Sequence, residues 1–220
     1  MGIVSREQVD RLYWLGRYTE RVYTTLKMYA RSFDLMIDEL SESYPQYCQM
    51  VDIPNIYSDK EDFMKRYPFD ADNPDSIIST LNRVYDNAIV LRDGIGSEGL
   101  SYIQLAIYAM NKAKVSASPL IEMQKVIDNI LSFWGIADDQ IDSIQIRNLI
   151  KAGKRIERVD MYARLGVDRN ELIREVYRLV PRVERSGKAY DIDALNTLRT
   201  IVMAENLDYY SIVENVEKIY

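Results

Sequence analysis

Apolar positions along most of the chain recur every three or four residues, which is the spacing of a helix with one buried face. Near the start, apolar residues continue at this spacing as far as Leu40, and no glycine or proline occurs between Arg17 and Leu40. This run predicts one long helix over residues 6–40. A similar pattern predicts a second long helix over residues 138–165. Since no convincing alternating strand pattern occurs anywhere, the sequence predicts an all-α fold.

The pattern changes between these helices. Residues 41–73 are interrupted by Pro45, Pro54 and Pro68, and proline ends or kinks a helix. We therefore predict an irregular connection there, carrying one or two short helices. Short loops between the helices that follow are typical of antiparallel neighbours in a bundle. The whole chain, residues 1–220, is accordingly predicted to be a single helical domain.

Several residues predict where individual helices begin and end. Asn73 is a candidate N-cap, and Pro74 suits the first helical position. Gly135 is expected to end the helix before the second long one. Gly166 suits the left-handed position after the second long helix, and Asp168 is expected to cap the next helix.

Composition limits the class of protein. Apolar residues make up 47% of the chain, but no apolar run approaches the ~20 residues that cross a membrane. The first residues lack the continuous apolar core of a signal peptide, so we expect a cytoplasmic, soluble protein without a membrane partner. The net charge of −6 argues against a nucleic-acid binder.

The chain contains no histidine, and Cys48 is its only cysteine. The commonest general base, the commonest transition-metal ligand and the usual catalytic triads are therefore missing. We predict no transition-metal site and no resident cofactor. A Mg²⁺ site made of carboxylates alone is the variant that this composition still allows.

One motif occurs twice. The pattern G-[RK]-x-x-E-R-V stands at residues 16–22 and again at residues 153–159. A solvated helix face has no need to repeat a glycine or an adjacent Glu-Arg-Val. Because glycine permits close helix approach, we expect the two long helices to cross near Gly16 and Gly153. Such a crossing would bring both Glu-Arg pairs together.

Basic residues in the second long helix form a row. Their spacings of four, three and four place them on one side of the helix, and they are Arg147, Lys151, Lys154 and Arg158. One interpretation is a solvated face with weak i,i+3 ion pairs. The other is an anion-binding surface. A further cation, Arg92, falls within the apolar face of a middle helix, where it is either a buried charge in need of a partner or a residue near a helix end.

Three stretches together resemble the alpha-E family, a bacterial helical domain named for its Glu-Arg motif. They are "RLYWLGRYTERVYTTL", "NPDSIISTLNRVYDNAIVLRDGIGSE" and "GKRIERVDMYARL". The matching positions are Trp14, Gly16, Arg17, Glu20 and Arg21; Asn73, Pro74, Ser76, Ile77, Asn87, Ala88 and Arg92; and Gly153, Glu157, Arg158, Asp160 and Arg164. Tyr85 departs from the pattern, because the family usually has arginine there, and "SEGLSYIQ" lacks an expected tryptophan.

The resemblance implies a partner role more readily than a reaction. Members of the family resemble accessory components of systems that contain a circularly permuted ATP-grasp ligase and often a transglutaminase-like peptidase, which are predicted to make, attach or process peptides. ATP and Mg²⁺ would then belong to the ligase. A peptide substrate and a homo-oligomer are both compatible with this role.

Three functions stay open at this point. The first is an accessory bundle that helps a ligase hold an anionic peptide or an acyl phosphate, with Glu20 and Glu157 orienting the cations. Its candidate ligand-binding residues are Arg17, Arg21, Arg92, Lys154, Arg158 and Arg164. The second is an enzyme that uses Glu20 or Glu157 as general base or Mg²⁺ ligand. In the third, the Glu-Arg pairs only fix helix packing.

Tyrosine is abundant, with 17 in the chain. The tyrosines cluster between Tyr44 and Tyr67 and again near Tyr209, Tyr210 and Tyr220. Because tyrosine is enriched at interfaces, we expect these clusters to contribute a docking surface. Ordinary amphipathic packing is the alternative at each single position.

Overall fold

A computed structural model describes residues 5–37 and 43–220. The described residues form ten helices and no strand, which confirms the predicted all-α fold. The helices are α1 Arg6–Ile37, α2 Ser43–Met50, α3 Lys60–Arg66, α4 Ile77–Val90, α5 Arg92–Val115, α6 Pro119–Asp139, α7 Ile144–Arg164, α8 Arg169–Glu184, α9 Ile192–Ile201 and α10 Tyr209–Glu217. None of the described helices combines the length and apolar character that a membrane crossing requires.

The long helices differ from prediction at their ends. Residues 38–40, expected to finish the first, lie outside the described residues. The predicted start of the second, at residue 138, is wrong because α6 continues through Gly135 to Asp139. A glycine inside a helix costs only about 1 kcal/mol relative to alanine, which neighbouring contacts readily offset. Helix α7 begins instead after Ser143, whose Oγ accepts a hydrogen bond from the Ile146 amide at 3.3 Å.

Of the two predicted N-caps, Asp168 is confirmed and Asn73 is wrong. Ser76, not Asn73, is the N-cap of α4, and its Oγ accepts a hydrogen bond from the Ser79 amide at 3.1 Å. The expected cap of α8 is confirmed, since Asp168 Oδ1 accepts a hydrogen bond from the Asn170 amide at 2.9 Å. Gly166 has the expected left-handed backbone, with φ of 59°.

Contacts between Cα atoms divide the chain into two compact units. The first unit comprises Met1–Glu20 and Ile141–Tyr220, and the second comprises Arg21–Gln140. Helix α1 therefore contributes its first half to one unit and its second half to the other. The prediction of a single domain over residues 1–220 stays a prediction.

The first unit has an apolar core built by α7, α8, α9 and α10, with Tyr13 of α1 packed into it. Each of these helices contributes residues at three- and four-residue spacing, as one buried face requires. The buried residues from α7 and α8 are Ala152, Ile156, Val159, Ala163, Leu172, Val176, Leu179 and Val183. Packing of these apolar faces fixes the positions of α7 and α8, the two helices that carry the charged residues described below.

Aromatic side chains form much of the core of the second unit. The segment 41–73 contains the two short helices α2 and α3. In and around them, the side chains of Tyr47, Tyr57 and Tyr67 are buried. The Tyr47 hydroxyl donates a hydrogen bond to the Thr25 carbonyl at 2.9 Å. The expected docking surface is therefore wrong for these three tyrosines, because their rings pack against one another and their neighbours.

Candidate functional site

The two copies of the repeated motif meet at their glycines, within the first unit. A Cβ atom on Gly16 of α1 would lie 2.0 Å from the carbonyl oxygen of Ile150 in α7. A Cβ atom on Gly153 of α7 would lie 2.1 Å from the carbonyl oxygen of Tyr13 in α1. Tyr13 stands three residues before Gly16, and Ile150 stands three before Gly153. The contact therefore has approximate local twofold symmetry, and each helix needs glycine at it.

Beside this contact the two motifs exchange ion-pair partners. Arg17 of the first motif donates from Nε to Glu157 Oε2 of the second at 2.8 Å. Arg158 of the second donates from Nε to Glu20 Oε1 of the first at 2.6 Å. Both carboxylates are buried, with exposures of 0% for Glu20 and 1% for Glu157. Buried charges need such partners, because burial without one costs several kcal/mol. We call Arg17, Glu20, Lys154, Glu157 and Arg158 the motif cluster.

Lys154 occupies the position in the second motif that Arg17 occupies in the first. Burial lowers the pKa of Lys154 to about 7, and the Arg158 charge acts in the same direction against the opposing effect of Glu20. Burial likewise raises the pKa of Glu20, while the Arg158 and Lys154 charges oppose that rise. No described residue donates a hydrogen bond to Glu20 Oε2. The cluster thus places an ammonium of reduced basicity beside a fully buried carboxylate.

Further groups hold the guanidiniums near the cluster. The guanidinium of Arg17 lies 5.3 Å from the centre of the Trp14 ring, a cation–π arrangement. Arg164, a predicted ligand-binding residue, donates from Nε to Asp160 Oδ1 at 2.9 Å and from Nη2 to Glu217 at 3.1 Å. Burial raises the pKa of Asp160, as does the neighbouring Glu157 charge. Arg164 therefore joins α7 to α10 through ion pairs.

Two of the predicted site residues lie in the second unit. Arg21 is half-buried. Burial raises the pKa of Tyr67, and the positive charge of Arg21 acts to lower it. Arg92 is exposed at the start of α5, and its guanidinium donates to Ser97 Oγ at 3.2 Å. The interpretation of Arg92 as a buried charge is therefore wrong.

One important carboxylate was missed by the sequence analysis. Glu175 of α8 is buried, and it pairs with Arg155 and with Arg178, the latter at 2.8 Å. The Arg158 guanidinium lies 3.9 Å from the same carboxylate. The available signal was a glutamate inside the apolar stripe of α8, since a charge there requires cationic partners.

The carboxylates of the cluster engage arginines rather than solvent. Within the two described stretches of the chain, no group of three or more histidine, cysteine, aspartate or glutamate side chains is arranged to hold a metal ion.

Glu20 and Glu157 are buried and accept hydrogen bonds from guanidiniums. A general base must reach its substrate's proton directly or through one water, so their catalytic role stays a prediction.

Comparison with known protein families identifies the chain. A family called Alpha-E, described as a predicted alpha-helical domain with a conserved ER motif, matches residues 4–198. The chain belongs to the alpha-E family. The matched range contains the two Glu-Arg pairs of the repeated motif, Glu20-Arg21 and Glu157-Arg158, and a further pair at Glu184-Arg185. Comparison with curated proteins and with solved structures gives no match.

The low pKa of Lys154 makes the stability of this alpha-E protein depend on pH. Between the folded-state pKa of about 7 and the ordinary value of 10.5, the unfolded chain binds a proton that the folded chain lacks. Stability therefore rises with pH in this window. We expect the free energy of unfolding from urea titrations to rise from pH 7 to about 9. Lys154→Met should reduce this rise, leaving the smaller part due to Lys151, whose pKa is about 8.

The control for this prediction is Lys114→Met, which removes an exposed lysine from the second unit. This variant should keep the pH dependence of the wild-type chain. Equal slopes of stability against pH in both variants would contradict a special role for Lys154.

Proposed function

We propose that this alpha-E protein is a non-catalytic accessory partner of an ATP-grasp-type amide or peptide ligase. In this role it helps to bind an anionic peptide or phosphate-bearing substrate. The observation that carries the proposal is the basic row of α7, formed by Arg147, Lys151, Lys154 and Arg158. A transglutaminase-like protein is proposed as a further partner. ATP and Mg²⁺ would be bound by the ligase.

The charge of the basic row supports anion binding. All four side chains are half-buried rather than fully solvated. Burial lowers the pKa of Lys151 to about 8, and the charges of Arg182 and Arg155 add to this effect. Cations that lower one another's pKa gain from a bound anion, because the anion relieves their repulsion. The row is a local feature, since the chain as a whole carries a net charge of −6.

Within this proposal the Glu-Arg pairs have a positioning role. Glu20 holds the Nε of Arg158, and the ion pair ties α7 to α1 inside the first unit. Lys151 and Lys154 stand on the same helix as this fixed arginine. The anion contacts are therefore assigned to the row, and the buried Glu20 orients its last member, Arg158.

A second candidate function is a structural or interaction bundle in which the Glu-Arg pairs only fix helix packing. The burial of Glu20 and Glu157 favours this candidate. The two candidates differ in what they require of Lys151 and Lys154. Packing alone does not require Lys151 and Lys154 to lie half-buried in one row with Arg147 and Arg158, and this placement makes the anion-binding candidate the stronger one.

The proposal is tested by purifying the tagged protein from its native cells and identifying co-purifying proteins by mass spectrometry. We expect an ATP-grasp ligase in the preparation. The complex is then remade with Lys151→Gln/Lys154→Gln, and amide formation is followed by the mass of the product. Loss of two charged contacts should slow the reaction about tenfold or more.

The matched control is Lys65→Gln/Lys114→Gln, which removes two exposed lysines from the second unit. This complex should retain the wild-type rate. The proposal fails if no ATP-grasp protein co-purifies, or if the two double variants support the reaction equally well.

A further inference from the structure

A second group of cations lies where the start of α7 meets the end of α8. Arg182 of α8 donates from Nη1 to Oδ1 of Asn148, a buried residue of α7, at 3.0 Å. This hydrogen bond places Arg182 beside the first two turns of α7, where Arg147 and Lys151 flank Asn148 in the sequence. Arg185 stands one turn beyond Arg182 at the end of α8. The fold therefore gathers cations from two helices.

Two arginines of this group, Arg147 and Arg182, donate hydrogen bonds to neutral oxygens. Arg147 donates from Nη1 to the carbonyl oxygen of Ile141 at 3.1 Å, and Arg182 donates to an amide oxygen. These bonds orient the guanidiniums, but neither bond neutralises a charge. Arg155 and Arg178 differ, because both pair with the Glu175 carboxylate.

Electrostatics within the group agree with this geometry. Burial lowers the pKa of Arg182, and the Arg185 and Arg147 charges lower it further. Arg182 in turn contributes to the lowered pKa of Lys151. Arg147 also lies in the first turn of α7, where the helix dipole adds partial positive charge. The group is thus concentrated positive charge that a bound anion would stabilise.

We infer that this group is a binding site for a phosphate group carrying two or more negative charges, formed by Arg147, Lys151, Arg182 and Arg185. A planar guanidinium binds two oxygens of a phosphate at once. The site spans about 6 Å along α7 and about 4.5 Å along α8, at ~1.5 Å per residue. That size suits one phosphate or a diphosphate rather than the backbone of a nucleic acid. The inference rests on the proposed anion-binding role, but it does not require the ligase.

The test is calorimetric titration of the purified full chain with pyrophosphate, inorganic phosphate, O-phosphoserine and acetate near pH 7. We expect pyrophosphate to bind more tightly than acetate. Arg182→Gln/Arg185→Gln should weaken pyrophosphate binding about tenfold or more, since each lost contact is a charge-assisted hydrogen bond. Arg185→Gln alone changes an exposed residue, and it should weaken binding in the same direction if the double variant does not fold.

The matched control is Arg174→Gln/Arg199→Gln, which removes two exposed arginines from the same unit. It should change pyrophosphate binding about twofold or less. Equal weakening by both double variants, acetate binding as tight as that of pyrophosphate, or no pyrophosphate binding at millimolar concentration would each overturn the inference. So would tighter binding of single-stranded DNA through the same arginines. Comparing phosphoserine with pyrophosphate separates a phosphorylated side chain from a diphosphate as the source of the group.

Because this titration uses the chain without a ligase, its failure differs from failure of the proposed function. If no ligase co-purifies, the proposed function fails, and the titration still decides whether the phosphate site exists. If pyrophosphate does not bind, the phosphate site is wrong, and co-purification still decides the ligase partnership.

Discussion

Gly16→Ala is expected to lower the free energy of unfolding by about 3 kcal/mol or more. The added Cβ atom would lie 2.0 Å from the carbonyl oxygen of Ile150. Backbone atoms cannot move aside as a flexible side chain can, so α1 and α7 would have to separate. Alanine's better helix propensity returns only about 1 kcal/mol. Urea unfolding followed by circular dichroism measures the change. Gly153→Ala should behave similarly, because its Cβ would lie 2.1 Å from the Tyr13 carbonyl oxygen.

Gly135→Ala is the matched control for the glycine substitution. Gly135 also lies within a helix, α6, but a Cβ atom there would meet nothing within 4 Å. This variant should be about as stable as the wild-type chain or up to about 1 kcal/mol more stable. Equal stability of the Gly16 and Gly135 variants would show that the close backbone contact does not exist in solution.

Arg158→Met is expected to lower the free energy of unfolding by about 3–5 kcal/mol. The substitution keeps most of the volume of the side chain but removes the guanidinium that donates to Glu20 at 2.6 Å. Glu20 is fully buried, so it cannot recover this interaction from water. Its pKa, already raised by burial, should rise further. Denaturant titrations above the ordinary pKa of a carboxyl group should therefore show the largest loss.

The double variant Glu20→Met/Arg158→Met distinguishes an ion pair from independent contacts. With both charges removed, no buried carboxylate needs compensation, and the double variant should be more stable than Arg158→Met. Arg174→Met, which removes an exposed arginine from α8, should change stability by about 1 kcal/mol or less. Glu20→Met is measured as the second single variant. If the changes in unfolding free energy of the two single variants sum to that of the double variant, Glu20 and Arg158 are not coupled.

Local patterns in the sequence predicted the helices well, because helix periodicity and capping depend on neighbouring residues. Asp168 and Gly166 mark helix boundaries through backbone geometry that a few adjacent residues decide. Gly135 and Asn73 were predicted to mark helix boundaries, but the structure places those boundaries elsewhere. Each has a local preference that favours a helix boundary. For Gly135 that preference is only about 1 kcal/mol, and α6 continues through it. For Asn73 a second capping residue, Ser76, lies close by in the sequence and accepts the Ser79 amide hydrogen bond instead.

The candidate site was predictable only in part. The repeated motif showed that Gly16 and Gly153 matter, and the basic row was visible from spacing. Glu175 was missed because its buried partner Arg155 comes from another helix. Tyr47, Tyr57 and Tyr67 were misassigned to a surface, since an amphipathic residue looks the same in sequence whether its ring is buried or exposed.

Composition and periodicity alone establish that this alpha-E protein is helical, that it lacks histidine, and that one glycine-containing Glu-Arg motif occurs twice. Which charges form pairs depends on the folded arrangement of the helices. Arg17 and Glu157 are separated by 140 residues, and no local preference selects a partner at that distance. The exchange of partners between motifs follows from the backbone contact at the two glycines. Burial then requires each carboxylate to have a cation, and packing determines which cation is within reach.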